Sequence, residues 1–278
     1  MEELDIGISG MRRLIQSVKE RHKVDLGVYA TTFFMRRVAK IMLQNSVKNI
    51  DELILKIDDT EYFANFQRQL TVDGTELFRD PGFWRYFKNE LCPAFARSNS
   101  SNIKIWMPGC NSGEEIVSAA ITLMEGGIYE KCVIIANDIN QKIVNSCKLG
   151  IYTNNKLELS ENNYKRFRED ENASLQKYIT ANPTGFMVNR NLYKNVQFDV
   201  VSHSGKYNTR GISLILCRNY FIYFTSQYQD VLLEKLTENL NLNGYLAIGN
   251  KENFSFCNDA SKYLLVNEKE NVYKKILE

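Results

Sequence analysis

The second part of this chain alternates short apolar segments with helical ones, and this rhythm constrains the fold more than any other feature of the sequence. The expected strands are IKIWM, KCVIIANDI, SLILCRN, GYLAIGN, KYLLV and VYKKIL, and the expected helices are EEIVSAAITLMEG, QKIVNSCKLG and SQYQDVLLEKLTENL. Strands separated by helices of about 10–15 residues indicate βαβ units. We therefore predict an α/β fold with a mostly parallel sheet and helices on both of its faces.

Two regions depart from this rhythm. The first 70 residues show no strand-like alternation, and the apolar positions of VYATTFFMRRVAKIMLQ recur at helical spacing. We expect four or so helices here, which form an N-terminal helical domain over residues 1–70, and a second domain over residues 71–278. Between residues 160 and 198, Gly185 and the segments FMV and VQF predict a small antiparallel β insert.

Composition disfavours several classes of function. The formal net charge is +2, so the chain has no overall field that requires nucleic acid as a partner. The charge is uneven, however, because residues 11–48 contain nine Lys/Arg and two acids. The chain has only two histidines, His22 and His203, which disfavours histidine-based metal or general-base chemistry. We expect no metal site.

Cysteine spacing and hydropathy bear on the compartment. The six cysteines are scattered without a C-x-x-C pair, which favours buried thiols in a reducing environment. The chain shows neither a signal-peptide pattern nor an apolar run of about 20 residues. We therefore expect a cytoplasmic protein without membrane insertion, and a monomer is the default expectation.

A glycine-containing loop followed by two acids is the first candidate site. The strand IKIWM leads into PGCNSG (108–113), and the next helix begins with Glu114 and Glu115. Glycine at both ends lets the backbone turn tightly and approach a ligand at the carboxyl edge of the sheet. Two carboxylates at a helix N-terminus would repel a pyrophosphate but suit a positively charged ligand, such as the ammonium and sulfonium groups of S-adenosylmethionine. The alternative is that Glu114 and Glu115 only complement the helix dipole.

Polar residues follow other strands at the same expected edge. Asp138 ends the strand VIIAND, 25 residues after Gly113, where an acid accepts hydrogen bonds from ribose hydroxyls in Rossmann-type sites. Its alternative role is that of a helix N-cap. Asn219 lies just beyond the strand SLILC, and the three points together favour an adenosine pocket. Arg79, in the loop TVDGTELFRDP, is a ligand-binding residue, a solvated charge or a partner of Asp80.

Five successive motifs resemble those of the CheR-type chemotaxis receptor methyltransferases. They are LTVDGTELFRDPGFW, WMPGCNSGEEIVSAAI, NDINQKIVNSCKLGIY, LILCRNYFIYFT and NGYLAIGNKE. FFMRRVAKIM is similar to the Arg-rich N-terminal helix of that family, and GFMVNRNLYKNVQF to its small β-subdomain. The resemblance implies a Rossmann-like methyltransferase sheet that uses S-adenosyl-L-methionine and releases S-adenosyl-L-homocysteine. It further implies a protein-glutamate O-methyltransferase that acts on the cytoplasmic domain of a chemoreceptor or a similar acidic helical protein.

The resemblance also implies roles for individual residues. Arg79 and Tyr223 match residues close to the reaction centre and are the catalytic candidates. The candidates for binding the donor are Thr75, Arg79, Gly109, Glu115, Asp138, Ser202, Arg218 and Asn219. Within that set, Glu115 would face the methionine end of the donor and Asp138 its ribose. Arg36 and Arg37, on the basic N-terminal helix, are candidates for contacts with the receptor.

Four positions depart from the pattern of the family. Leu77 replaces the first Phe of an F-F-R triplet, and Asn140 replaces a second acid. Ser202 stands in the place of an asparagine, and Asn250 begins N-K-E where the family has H-S-E. These changes leave open a catalytically silent S-adenosylmethionine-binding regulatory module of the same fold, although the retained donor-binding candidates argue against it. A nicotinamide dehydrogenase is a third possibility, which the acids after the glycine loop disfavour.

Overall fold

A seven-stranded sheet forms the centre of the molecule. The computed structural model describes residues 6–70, 75–98, 102–201 and 209–278. The strands are β1 Ile103–Pro108, β2 Cys132–Asp138, β3 Ile151–Thr153, β4 Ile179–Asn182, β5 Gly185–Val188, β6 Val196–Val200, β7 Ile212–Cys217, β8 Leu240–Ile248, β9 Tyr263–Asn267 and β10 Val272–Lys275. The large sheet has the order β6-β2-β1-β7-β8-β10-β9, in which the first five strands run parallel and β10 is antiparallel to both neighbours. The predicted α/β architecture is confirmed.

Helices cover the sheet and form a bundle before it. They are α1 Gly7–His22, α2 Thr31–Gln44, α3 Ile50–Lys56, α4 Thr60–Leu70, α5 Pro81–Tyr86, α6 Cys92–Arg97, α7 Glu114–Glu125, α8 Gln141–Leu149, α9 Leu157–Arg168 and α10 Ser226–Asn239. Within the described parts of the chain, none of these helices combines the length and the hydropathy that crossing a bilayer requires.

The central strands are apolar on both faces because each face carries its own core. In β1, Ile105 packs in a core with α7, whereas the adjacent Trp106 packs in a second core with α10. Leu214 and Ile215 of β7 divide between the two cores in the same way. This two-sided burial explains why the strands are continuous apolar runs in the sequence. Because the strands are parallel, their carboxyl ends meet at one edge of the sheet.

The N-terminal bundle contacts that edge. Its helices α1–α4 bury a core of their own, which includes Leu14, Phe34 and Leu53. Between α1 and α2 the chain pairs with the segment after β7: the Ala30 N–H donates to the Tyr223 carbonyl (2.8 Å). The expectation of about four helices is met, and the division of the chain into two domains at residue 70 stays a prediction. The backbone pairing places the start of α2 beside the strand ends.

The predicted antiparallel insert differs from the observed one. A three-stranded antiparallel sheet exists with the order β3-β5-β4, but β3 lies before residue 160 and α9 occupies the start of the expected range. The segment VQF belongs to β6, which pairs in parallel with β2 at the edge of the large sheet. The prediction for VQF was wrong because a short alternating strand has the same pattern in either sheet, and only its partner distinguishes them.

Residues 81–97 form a segment for which the sequence predicts neither helix nor strand. This stretch is helical throughout, since a π-helical turn over Phe87–Leu91 joins α5 to α6. Its aromatic residues Phe83 and Trp84 are buried in the core on the α7 face. Pro81 lies in the first turn of α5, a position where proline fits a helix but which a sequence pattern easily suggests to be a loop.

Candidate functional site

A pocket opens at the carboxyl edge of the parallel strands. It encloses about 940 Å³ of empty space, its open mouth included. The predicted site residues that line it are Thr75, Arg79, Gly109, Glu115, Asp138, Arg218, Asn219 and Tyr223. Ser202 lies outside the described residues. The structure therefore brings together eight of the predicted residues from four separate segments of the chain.

The glycine loop after β1 forms one wall. Gly109 has a φ of +68°, and a Cβ atom there would lie 2.6 Å from Cε2 of Tyr220, so only glycine fits. Gly113 caps α7 with a φ of +94°, and its close neighbour is the Tyr152 hydroxyl, 2.9 Å from where a Cβ would lie. The first glycine thus shapes the pocket. The second admits protein side chains rather than a ligand, which differs from the sequence interpretation.

The two acids at the start of α7 have separate environments. Glu115 lines the pocket, and one of its oxygens accepts a hydrogen bond from Nη1 of Arg218 (3.1 Å). Burial raises the pKa of the Glu115 carboxyl, and the Arg218 charge offsets part of that rise. Glu114 is buried and accepts a hydrogen bond from the Ser112 hydroxyl. Of the pair, Glu115 is therefore the acid available to a ligand.

Asp138 is a deeply buried carboxylate at the end of β2. It accepts hydrogen bonds from the backbone N–H groups of Asn111 (3.3 Å) and Asn140 (3.0 Å). Burial raises its pKa to about 6, and these N–H groups oppose the rise. The alternative of a helix N-cap is wrong, because α8 is capped by the Asn140 side chain, which accepts from the Lys142 N–H (2.9 Å). Asp138 therefore keeps oxygen lone pairs for the pocket that it lines.

The segment 75–80 closes another side of the pocket. Its backbone is anchored to the glycine loop by the bond from the Thr75 N–H to the Ser112 hydroxyl (3.3 Å). The proposed pairing of Arg79 with Asp80 is not what forms: Asp80 pairs with Nη2 of Arg218 (2.7 Å). Arg79 instead has an exposed side chain that lines the pocket, and its charge partly opposes the rise that burial causes in the pKa of Glu115 and of Tyr223.

Arg218 has a supporting position in this wall. Its side chain is 1% exposed, and the guanidinium stacks 4.3 Å from the ring centroid of Phe83. The N–H groups of Arg218 donate to Glu115 and to Asp80, so a single guanidinium connects α7 to the segment 75–80. These charge-assisted hydrogen bonds, one to each carboxylate, hold both acids in fixed orientations. The predicted direct role in donor binding stays a prediction.

Tyr223 lies between the pocket and a second groove. The groove is lined by Phe33, Arg36, Arg37, Lys40, Ile222 and Tyr223. Arg36 and Arg37 therefore lie beside the pocket and not within it, and Nε of Arg37 donates to the Gln69 carbonyl (2.5 Å). Burial raises the pKa of the Tyr223 phenol, which keeps it protonated and able to donate a hydrogen bond.

Several lining residues were not expected from the sequence. The N-terminal bundle contributes Tyr29, Phe33 and Leu70, which place an aromatic and aliphatic roof over the strand ends. Helical periodicity predicts which face of α2 is buried, but not which other part of the chain this face contacts. Tyr220 and Phe224 also line the pocket, and their closeness to Asn219 was the available signal.

Two of the departures acquire physical explanations. Leu77 is fully buried, which makes its replacement of phenylalanine a matter of packing. The Asn140 side chain caps α8 through its oxygen and donates through Nδ2 to the Ala64 carbonyl on α4 (3.0 Å). An aspartate could not donate this second bond. Asn140 thus connects β2 to the N-terminal bundle.

Comparisons with known proteins place the fold and the pocket in a family. The model of the CheR methyltransferase SAM-binding domain matches residues 73–271. Cher3 of Pseudomonas putida is 29% identical over 268 residues, 95% of this chain and 96% of that protein. A chemotaxis protein methyltransferase of Listeria monocytogenes is 25% identical over 237 residues, 84% of this chain and 86% of that protein. Chemotaxis protein methyltransferase 1 of Vibrio cholerae is 30% identical over 198 residues, 68% of each chain.

The matched range begins before Thr75 and ends beyond β9, so it contains the whole α/β part of the pocket wall. With relatives named as chemotaxis methyltransferases aligned over most of their own length, this chain belongs to the CheR family of S-adenosylmethionine-dependent methyltransferases.

Proposed function

We propose that this protein transfers a methyl group from S-adenosylmethionine to glutamate carboxylates of a chemoreceptor or a similar acidic helical protein, in the cytoplasm. The observation that carries the proposal is the position of Arg79 and Tyr223. Both line the pocket, and Tyr223 also lines the basic groove beside it. A carboxylate that entered along the groove would meet two hydrogen-bond donors next to the donor pocket.

The residues of the pocket fit this donor. Asp138 is a buried carboxylate whose hydrogen bonds come from backbone N–H groups, a suitable acceptor for ribose hydroxyls. Glu115 supplies negative charge for an ammonium group. The rings of Tyr29, Tyr220 and Phe224 offer apolar surface for a purine. When bound, S-adenosylmethionine supplies a methyl group on a positively charged sulfur.

The acceptor chemistry asks little acid–base work of the protein. A glutamate side chain has an unperturbed pKa of about 4.3, so it is already an anion at neutral pH. The histidine that the structure describes, His22, is stacked on Phe63 within the N-terminal bundle and does not line the pocket. The protein must therefore hold the carboxylate, align it and exclude water. Positioning of this kind can lower the activation barrier by about 7–11 kcal/mol.

Arg79 and Tyr223 are suited to that positioning. The planar guanidinium of Arg79 can bind one or both oxygens of a carboxylate in a fixed orientation. Tyr223 keeps its proton, because burial raises its pKa, and its hydroxyl can donate a second hydrogen bond to the same carboxylate. We assign these two residues to the acceptor and not to the donor.

The groove supports an acidic partner. Three of its six described lining residues, Arg36, Arg37 and Lys40, are cationic and none is acidic. Complementary charge of this kind accelerates encounter and fixes orientation more than it adds affinity. Relatives named as chemotaxis protein methyltransferases support a chemoreceptor as the source of the acidic helix. The six cysteines, all free and buried, support a reducing compartment.

The test is transfer of labelled methyl groups to a chemoreceptor cytoplasmic fragment. We expect label on the fragment, and loss of that label when its acceptor glutamates are changed to glutamine. Donor binding without any transfer to glutamate would contradict the proposal and favour the catalytically silent module.

A charge reversal tests the groove. Arg36→Glu with Arg37→Glu should reduce methylation of the fragment, with donor affinity unchanged, because these residues lie outside the donor pocket. Arg12→Glu with Arg13→Glu is the matched control, since both residues are exposed on α1 and contribute nothing to the groove. Equal methylation by the two double variants at physiological salt would show that the groove is only a solvated surface.

A further inference from the structure

Glu252 is a buried acid that lies behind the pocket wall and accepts hydrogen bonds from its backbone. It lies in the turn after β8, and only 5% of its surface is exposed. We infer that Glu252 is a positioning residue: its carboxylate fixes the segment 218–223, which carries Asn219 and Tyr223 into the pocket. This inference rests on the proposed use of the pocket for the methyl donor.

The contacts of the carboxylate connect two separate segments. Oε2 accepts hydrogen bonds from the N–H groups of Asn219 (2.8 Å) and Gly249 (2.6 Å). Oε1 accepts from the N–H of Ile222 (3.2 Å). Buried N–H groups require an acceptor, and the Glu252 carboxylate supplies one for all three of these groups. One side chain therefore holds the ends of the segment between Asn219 and Ile222.

The backbone at Asn219 needs this support. Asn219 has a φ of +55°, in the left-handed region, which asparagine adopts more readily than most residues but at a conformational cost that glycine does not have. The neighbouring Gly249 backbone approaches so closely that a Cβ atom there would lie 2.5 Å from Nδ2 of Asn219. A backbone conformation of this kind persists only where neighbouring groups stabilise it. The hydrogen bond that Glu252 accepts from the Asn219 N–H provides such stabilisation.

The turn that carries Glu252 is itself anchored. Nδ2 of Asn271 donates to the carbonyls of Gly249 (2.9 Å) and Glu252 (2.8 Å). The Asn271 side chain accepts in turn from the Tyr273 hydroxyl on β10 (2.9 Å). The carboxylate is therefore held by the antiparallel edge of the large sheet, and it transmits that rigidity to the pocket wall. Supporting contacts of this kind determine how accurately a site is held.

Glu252→Gln tests the role while almost preserving the shape of the side chain. The amide has one acceptor oxygen, and its NH2 group would face an N–H donor of the wall. We expect the affinity for S-adenosylhomocysteine, measured by calorimetry, to fall about tenfold or more, as for the loss of a charge-assisted hydrogen bond. Glu268→Gln, a change of the same kind at an exposed site, should bind like wild type.

A double-mutant cycle separates positioning from general stability. Asn219→Gly removes the side chain and accepts a positive φ, so in that background Glu252→Gln should weaken binding less than about twofold. An equal loss in both backgrounds, or unchanged affinity of folded Glu252→Gln, would overturn the inference. If Glu252→Gln does not fold, Glu252→Asp, which keeps the charge on a shorter side chain, enters the same cycle with the same two outcomes. The readout needs no acceptor protein, so its failure is distinct from failure of the methyl-transfer test.

Discussion

Asp138→Asn changes the residue on which donor binding should depend most. The substitution preserves shape but replaces a carboxylate oxygen with an NH2 group. In the wild-type protein, the Asp138 carboxylate lines the pocket. It accepts hydrogen bonds from an N–H group of the glycine loop and from the N–H group of the residue that caps α8. A hydrogen bond from a ribose hydroxyl to a charged carboxylate contributes about 1.5–3 kcal/mol to binding. We therefore expect the affinity for the donor at neutral pH to fall roughly tenfold to a hundredfold.

The raised pKa of Asp138 makes this effect depend on pH. Burial raises the pKa of the carboxyl from 3.8 to about 6 before the donor binds. The folded state therefore holds the proton more tightly than the unfolded state does. The resulting contribution to the free energy of unfolding, about 3 kcal/mol, is present at low pH and is lost as the pH rises through about 6. Asp138→Asn removes that loss and should fold. Hydroxyl groups of the donor favour the ionised carboxylate, so wild-type affinity should decrease as the pH falls below about 6.

Calorimetric titration with S-adenosylhomocysteine between about pH 5 and about pH 8 measures both effects. Wild type should show a bend in affinity near pH 6 that Asp138→Asn lacks, and any remaining slope belongs to other acids such as Glu115, whose pKa burial also raises. Asp199→Asn, an exposed acid on the adjacent strand, is the matched control. Wild-type affinity in folded Asp138→Asn across this range would refute the role of Asp138.

Two further substitutions test other parts of the site. Arg79→Lys keeps the charge but loses the planar fork, so turnover on a receptor fragment should fall at least about tenfold while calorimetric donor affinity changes by less than about twofold. Turnover near the wild-type value would leave Arg79 without a catalytic role. Asn140→Asp removes the bond to the Ala64 carbonyl and places a carboxylate against it. The free energy of unfolding, measured in urea, should fall by about 1–3 kcal/mol, and the exposed Asn145→Asp should leave it almost unchanged.

The parts of the site that lie at strand ends could be predicted from the sequence. Gly109, Asp138 and Asn219 each follow an apolar run, and parallel strands necessarily bring such positions to one edge. The pattern of apolar runs and helices fixes this geometry without knowledge of any individual contact. The order of strands and helices, with the residues that follow the strands, was therefore enough to place this pocket wall and to favour an adenosine group there.

The remaining features depend on contacts between distant segments. Tyr29 and Phe33 line the pocket only because the chain before α2 pairs with the segment after β7, and no local pattern encodes that pairing. Asp80 pairs with Arg218 and not with Arg79, its neighbour in the sequence. This pairing depends on how distant segments pack, which the local sequence does not show. The position of VQF in the large sheet has the same origin, because an edge strand alternates in the same way whichever neighbour it pairs with.

The measurement that tests the proposed chemistry most directly is release of labelled methanol from the methylated acceptor in mild base. A methyl ester hydrolyses under these conditions and its methanol is volatile, whereas a methyl group on nitrogen or on sulfur stays with the protein. We predict that the label transferred by the wild-type enzyme to a chemoreceptor fragment becomes volatile in base. Label that remains on the fragment after this treatment would contradict transfer to a carboxylate.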